Sequence, residues 1–383
     1  MIKIPKVILR IETSVGYGRG LLLGITKYAH LHGPWAFYSE PGEEQTTLPR
    51  LDNWGASGII ARVADAKKTK QFIEVKLPVI FVPLKEKIPG FANIIDDCAT
   101  EGKMAAEHLL DRGFRNFAYC GFSDMHWSRG RRGSFCRRIA EAGFEAYCYD
   151  RPRARVLRSY AKEQVLLVGW LKSLPIPVGL MTCDDEHGRH VIEACKVAGL
   201  HVPEQVAIIG VDNDDLVCAL SQPLLSSIAV NTERAGYEAA ELLDELMTGK
   251  KVQNHDVIVQ PLHIVTRQST DILAIEDREV ANAVRFIRQR AKEPIQVTDV
   301  VNAAALSRRP LEKRFRKVLN RSILDEIRRI RVAQAVRMLV DTNLSISQIA
   351  SALGYPTVKH IARSFRHEMG MTLLAYRKMY GQK

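Results

Sequence analysis

Between Lys6 and Asp212, short runs of consecutive apolar residues recur with stretches of helical period between them, and this alternation restricts the fold more than any other feature of the chain. The runs are KVILRIE (6–12), WAFYS (35–39), GIIARV (58–63), PVIFVPL (78–84), NFAYCG (116–121), VGLMTC (178–183) and VAIIGVD (206–212). Helical stretches are expected over 18–30, 100–112, 133–142, 159–173, 188–198 and 232–247. Strand, helix, strand repeated in this way predicts an α/β architecture with parallel sheets, whose strands must be apolar on both faces because helices cover both. At 383 residues the chain exceeds the size at which one core stops growing, so a second domain is expected.

In parallel sheets of this kind ligands bind beyond the carboxyl ends of the strands. The residues that follow the runs are Ser14, Val15, Gly16, Tyr17 and Arg19, then Arg62, Ser123 and Asp124, Asp184 and Asp185, and Asp212, Asn213 and Asp214. Carboxylates accept from neighbouring hydroxyls, guanidinium groups donate from a rigid fork, and Tyr17 or Trp127 can cover the apolar face of a sugar ring. A polyhydroxylated ligand suits that set. Each aspartate has a simpler alternative, since an Asp at a strand end also caps the helix that follows.

Charge divides the chain. Residues 271–383 hold 22 Lys and Arg against 11 Asp and Glu, a net of +11 out of +12 for the whole. A nearly neutral domain is thus followed by a basic one, which points to an acidic polymer or surface as partner, although a basic solvated face gives the same count. Within that part, EVANAVRFIRQRA (279–291) has one apolar stripe, VTDVVNAAAL (297–306) is a short helix, and RRPLEKRFRKVL (308–319) is a basic helix with Ser307 as its cap. A longer helix (322–342) follows, and then the pattern returns as SISQIASAL (345–353), a turn at Gly354, and PTVKHIARSFRHEM (356–369). Phe315 and Phe365 occupy the same register in the two basic helices. Two helix-turn-helix units are therefore expected. Donors near the start of each second helix, Arg308, Arg309, Thr357 and Lys359, with Lys313 and His360 one turn on, are candidates for reading bases. Arg314, Arg316, Arg363 and Arg366 suit phosphate contacts.

Other classes find less support. No run of apolar residues is long enough to span a membrane and the N-terminus lacks a leader pattern, so a cytoplasmic protein is expected. Seven scattered cysteines without CxxC suggest reduced thiols. His187 beside Cys183, Cys195 and His190 raises the question of a metal or nucleophile. HExxH, GxSxG and phosphate-loop patterns are absent, and no enzyme, cofactor or metal is expected.

Four stretches, DDCATEGKMAAEHLLDRGFRNFAYCG (96–121), RRGSF (131–135), CDDEHGRHVIEACKVAGLHVPEQVAIIGVDNDD (183–215) and PLLSSIAVNTERAGYEAAELLDELMTGK (223–250), resemble the effector domain of the lactose and galactose repressor family. That resemblance implies a periplasmic-binding-protein-like clamp of two parallel-sheet subdomains closing on a small effector. It implies effector contacts by Arg131, Asp184 and Asp212, to which the strand-end reading adds Tyr17, Arg19 and Arg62. Repressors of that family carry their DNA-binding helices before the clamp, whereas here the first strand begins at once, so the DNA-binding part is expected elsewhere in the chain or absent. Ile349-Ala350, Gly354-Tyr355, Phe365-Arg366, Gly370, Thr372 and Tyr376-Arg377 resemble the AraC family, with Ile361 and Leu373 departing from its pattern. The order of the two parts resembles the bacterial xylose operon regulators, helped by Tyr17-Gly18-Arg19, Asn53-Trp54-Gly55 and Gly354-Tyr355-Pro356. The resemblance implies a dimeric activator of sugar-catabolic genes that binds operator DNA and a sugar or sugar acid, with RNA polymerase as a further partner; the alternative is a ligand-insensitive repressor that uses the clamp for dimerisation. The expected organisation is an effector domain over 1–270, a linker over 271–278, and an all-α DNA-binding domain with two helix-turn-helix units over 279–383. Arg62 is expected to face the cleft and pair with Asp184 or Asp212, or to receive the carboxylate of a sugar acid.

Overall fold

The computed structural model describes residues 4–39, 55–63, 66–151, 160–250, 256–275 and 277–381. The resemblance at Asn53-Trp54 lies outside the described residues. The chain divides into two compact units, residues 1–107 with 116–271, and residues 108–115 with 272–383.

In the first unit the described strands are β1 (Lys6–Arg10), β2 (Ala36–Ser39), β3 (Gly58–Val63), β4 (Val79–Pro83), β5 (Ala92–Asp96), β6 (Asn116–Phe122), β7 (Ala146–Arg151), β8 (Val178–Thr182), β9 (Val206–Asp212), β10 (Ser226–Val230), β11 (Val257–Val259) and β12 (Pro261–Val265). They form two six-stranded sheets, ordered β11-β5-β4-β3-β1-β2 and β12-β10-β9-β8-β6-β7. Every pairing is parallel except β10 with β12, which is antiparallel and carries a register shift at Ala229 and Val230. The interior strands β3, β4, β8 and β9 are buried nearly throughout. The edges differ from the expectation of burial on both faces: β2 and β7 have only one neighbour each, and their side chains are partly or fully exposed.

The described α-helices of this unit are α1 (Gly16–His32), α2 (Ala66–Glu74), α3 (Cys98–Leu110), α4 (His126–Glu141), α5 (Tyr160–Ser173), α6 (Asp185–Ala198), α7 (Asp215–Leu220) and α8 (Thr232–Met247). Val7, Leu9, Ile60 and Ile80 of the first sheet pack against Leu21, Ile25, Ala239 and Leu243 of α1 and α8. Because side chains alternate along a strand, Ile8, Ile59 and Phe81 face the other way and meet Phe72 of α2. Leu180 and Ile208 of the second sheet meet Leu171, Val191 and Cys195. α1 and α8 approach so closely that a Cβ on Gly24 would lie 1.8 Å from the Glu233 carbonyl oxygen, and one on Gly236 would lie 2.1 Å from that of Leu21.

The second unit is helical over α9 (Arg278–Gln289), α10 (Val297–Asn302), α11 (Arg308–Leu319), α12 (Ile323–Asp341), α13 (Ile346–Ala352), α14 (Val358–Met369) and α15 (Leu373–Tyr380). Val280, Val284, Ile287, Val300, Leu311, Phe315 and Ile327 form one of its cores. Asp277 caps α9 through the amides of Glu279 and Val280. Capping boxes start α12 (Ser322 with Asp325) and α13 (Ser345 with Gln348). Ser307 occupies the cap position of α11 without a side-chain bond, and Thr357 does the same before α14, where its Oγ1 lies 2.8 Å from His360 Nδ1. Asn320 and Gly370 end α11 and α14 in the left-handed region, so these two helices also finish alike. No described helix is long and apolar enough to cross a membrane.

Candidate functional site

The carboxyl ends of strands from both sheets of the first unit converge on a cavity of about 390 Å³. Tyr17, Arg62, Arg131, Asp184 and Asp212 all line it, joined by Glu12, Asp96, Trp127 and His187. Tyr17 arrives from the first turn of α1, Arg62 from β3, Asp96 from the end of β5, Arg131 from α4 and Asp212 from the end of β9. Arg19 does not line the cavity. Its guanidinium donates to the Thr13 and Ser14 carbonyls and to Asp214 (3.1 Å), whose carboxylate also accepts from the Gly16 amide (2.6 Å). Arg19 thus holds the turn that presents Tyr17.

Arg131 is the hub. It is 2% exposed, donates from Nε to Glu101 (2.6 Å) and from Nη1 to the Cys183 carbonyl (2.6 Å), and reaches Asp212 at 3.5 Å. Its guanidinium lies 5.1 Å from the centre of the Trp127 ring. Burial pushes the Asp212 carboxyl well above its ordinary range, against the downward pull of Arg131. Asp212 and Asn213 both have positive φ (103° and 52°), a turn held by the Asn213 amide on Ser227 and by Arg267 on the Asn213 side chain. Asp214 caps α7 by accepting from the Leu216 amide. Asp184 caps α6 by accepting from the His187 amide. For those two aspartates the capping alternative holds, while the rest of the Asp184 carboxylate still borders the cavity. Cys183, Asp184 and His187 bring one ligand-type atom each within 4.8 Å of one another. With Asp184 committed to its cap and burial pushing the Cys183 thiol up, this trio reads as cap and core.

Arg62 departs from its expected pairing. Its Nε lies 3.0 Å from Glu12, the next acid beyond β1, and the guanidinium stacks 5.2 Å from the Tyr17 ring centre. Asp184 and Asp212 belong to the other sheet, and Glu12 is the closer charge. Arg62 Nη1, Asp96 Oδ1 and Trp127 Nε1 are buried without a hydrogen-bond partner, whereas Arg62 Nε is taken by the Glu12 ion pair. Buried polar groups are almost always bonded, so three such atoms around one cavity mark where a ligand's polar groups belong. Sequence reasoning missed Asp96 and Glu101. FANIID (91–96) also runs up to an acid at its end, but Asn93 interrupts its apolar character.

In the second unit every base-reading or phosphate candidate is exposed: Arg308, Arg309, Lys313 and Arg316 on α11, then Thr357, Lys359, His360 and Arg363 at and along α14. Leu311 and Phe315 on one helix, and Ile361 and Phe365 on the other, are fully buried. Arg308 bonds Glu312 (2.9 Å) and Arg314 pairs with Asp277 (3.5 Å). Helical period alone separates these two faces.

Residues 106–270 match the family model of a periplasmic binding protein-like domain, and residues 300–379 that of a helix-turn-helix domain. The AraC-family assignment is corrected accordingly: the second match is to a helix-turn-helix domain, and the chain's relatives include regulators of the lactose and galactose repressor type. Ile361 and Leu373, the two departures from the AraC pattern, are core residues here. The xylose operon regulatory protein of Haemophilus influenzae is 30% identical over 380 residues, covering 97% of this chain and 98% of that protein. That of Escherichia coli K12 is 28% identical over 97% of this chain and 96% of its own length. The structure of the xylose-binding transcription activator xylR superposes over the full length of both chains with a TM-score of 0.63 at 27% identity. The lac repressor dimer bound to operator shares the clamp fold over 70% of this chain (TM-score 0.57, 15% identity). The chain belongs to the family of xylose operon regulatory proteins, ligand-responsive DNA-binding transcriptional regulators and not enzymes.

Proposed function

We propose that the cavity is a sensor for a monosaccharide, D-xylose first among the pentoses, and that its occupancy sets how the chain activates sugar-catabolic genes. The observation that carries this reading is the set of buried atoms without a hydrogen-bond partner, Arg62 Nη1, Trp127 Nε1 and Asp96 Oδ1, around a cavity of about 390 Å³. A sugar supplies hydroxyls that donate to Asp96 and accept from the other two, and an apolar ring face for Tyr17 or Trp127. Arg131, Asp184 and Asp212 complete the contacts. Similarity to xylose operon regulators and to a xylose-binding activator supports the same choice. A sugar acid is the second reading, favoured by the open Nη1 of Arg62, which suits a carboxylate.

The same reading divides the chain into an effector domain over 1–270, a linker over 271–278 and a DNA-binding domain over 279–383. In the last, α10 with α11 and α13 with α14 act as two helix-turn-helix units. Arg308, Arg309, Lys313, Thr357, Lys359 and His360 read bases; Arg316 and Arg363 hold phosphates. Two such chains act as a dimer in the cytoplasm. Sugar favours the closed clamp, and binding of sugar and operator are thereby coupled.

Thermal shift with D-xylose, L-arabinose, glucose, xylonate and glucuronate tests the sensor. The expected result is selective stabilisation by D-xylose, absent from Asp212→Asn. Stabilisation by the acids alone would transfer the site to the second reading, and none from any of them would refute sugar sensing.

A further inference from the structure

Five of the seven cysteines, at 98, 120, 183, 195 and 218, are buried, and burial pushes their thiols up. The other two form a pair at the surface, far in sequence from any strand end that lines the cavity. Cys136 lies on the second half of α4 and Cys148 on the edge strand β7, with Sγ atoms 3.6 Å apart. Arg132, one helical turn before Cys136, pairs with Asp150, two residues beyond Cys148 on the same face of the strand. The ion pair and the sulfur pair are successive rungs between one helix and one strand, so the thiols are held in register. Either thiol can donate in this contact; the bond to Cys148 first, then the Arg132 charge, lowers the Cys136 thiol, against burial and Asp150, which raise it. Cys148 is raised correspondingly, the Cys136 bond being the largest cause.

We propose that Cys136 and Cys148 are a peroxide-reactive dithiol that closes reversibly to a disulfide between α4 and β7. Cys136 is taken as the attacking thiolate, since the thiolate is the nucleophile in such chemistry and Cys136 sits on α4 one turn after the Arg132 cation. It attacks one oxygen of a hydroperoxide; the O–O bond breaks, and the leaving oxygen takes a proton and departs as water or an alcohol. Cys136 is then a sulfenic acid. The Cys148 sulfur attacks it, the S–S bond forms, the S–O bond breaks, and the hydroxide leaves as water with the Cys148 proton. Two thiols lose two electrons and the hydroperoxide gains them. A dithiol reductant reverses the closure by exchange. The link fastens α4, which carries Trp127 and Arg131, to the sheet edge.

Full-length protein treated with hydrogen peroxide, then alkylated and digested with trypsin, tests this directly. The expected result is loss of two of the seven thiols, a mass lower by about 2 Da for the two hydrogens removed, and one linked pair of peptides, 133–137 with 139–153, since trypsin does not cut between Arg151 and Pro152. Dithiothreitol restores both thiols. In Cys148→Ser the reaction stops at a Cys136 sulfenic acid that dimedone traps, whereas Cys136→Ser gives no adduct at Cys148. Intact thiols at both positions after treatment, a link involving any of the five buried cysteines, or dimedone capture at Cys148 rather than Cys136 would overturn the proposal.

Discussion

Replacing Arg131 by Met removes the only cation bonded to Glu101 among the described residues, and Glu101 is 0% exposed. Met fills much of the same volume, so the loss is chiefly that of a charge. Stranding a buried carboxylate costs about 3–5 kcal/mol, which at neutral pH is a large part of an ordinary folding stability. Burial already pushes Glu101 up, with Arg131 opposing. Without Arg131 its folded-state pKa rises further above the unfolded value. The folded variant then binds more protons than the unfolded chain, so its stability is highest below the ordinary carboxyl range and falls as pH rises towards the raised pKa. Glu101 of the parent is itself raised to about 7, so both proteins lose this stability up to there, and the penalty relative to the parent grows, by up to about 1.4 kcal/mol per pH unit, between that value and the variant's higher pKa. The assay is urea unfolding followed by tryptophan fluorescence, which reports the first unit alone because all four tryptophans, at 35, 54, 127 and 170, lie there. Adding Glu101→Gln should bring the protein back to within about 2 kcal/mol of the parent and remove the pH dependence. A penalty below about 1 kcal/mol, or one equal at pH 5 and pH 8, would refute the assignment of Arg131 and Glu101 as a mutually dependent buried pair.

Gly24→Ala places a Cβ on the Glu233 carbonyl oxygen and should destabilise the first unit by about 1–3 kcal/mol, read as a lower urea midpoint. Phe365→Ala empties a fully buried site and should cost about 3–5 kcal/mol, visible as earlier loss of helical circular dichroism than in the parent. Lys359→Ala and Arg309→Ala, both exposed, should leave thermal stability unchanged and weaken operator binding by about 1–3 kcal/mol each where they read a base, measured by fluorescence anisotropy. Equal weakening on random DNA would make them phosphate contacts instead.

The interior strands were legible because helices on both faces demand unbroken apolar runs, and β3, β4, β8 and β9 have them. Strands β5, β7 and β10 escaped because AYCYDR sits at an edge and ANIID and SSIAV contain polar residues that the fold buries with partners. Asp96, at the end of β5, was lost with its strand. The same limit applies to Arg62: its place at the end of a strand could be read from the run GIIARV, but its neighbour Glu12 comes from the adjacent strand's exit, a tertiary fact. For the helical unit, a period of 3.6 sorted Leu311 and Phe315 from Arg308 and Lys313 without any knowledge of packing. Family membership of that unit was less legible, since short helices with one aromatic and one glycine turn are common to many helix-turn-helix domains.

Coupling between the cavity and the DNA-binding helices is the claim on which the functional account rests. Its most direct test is the affinity of the full-length protein for its operator, measured by fluorescence anisotropy without and with saturating D-xylose, alongside calorimetry that establishes sugar binding. The account predicts a change of roughly 5-fold or more in operator affinity, the usual scale of coupling between sites, and its disappearance in Asp212→Asn. Identical isotherms with and without sugar, from protein shown to bind D-xylose, would contradict it.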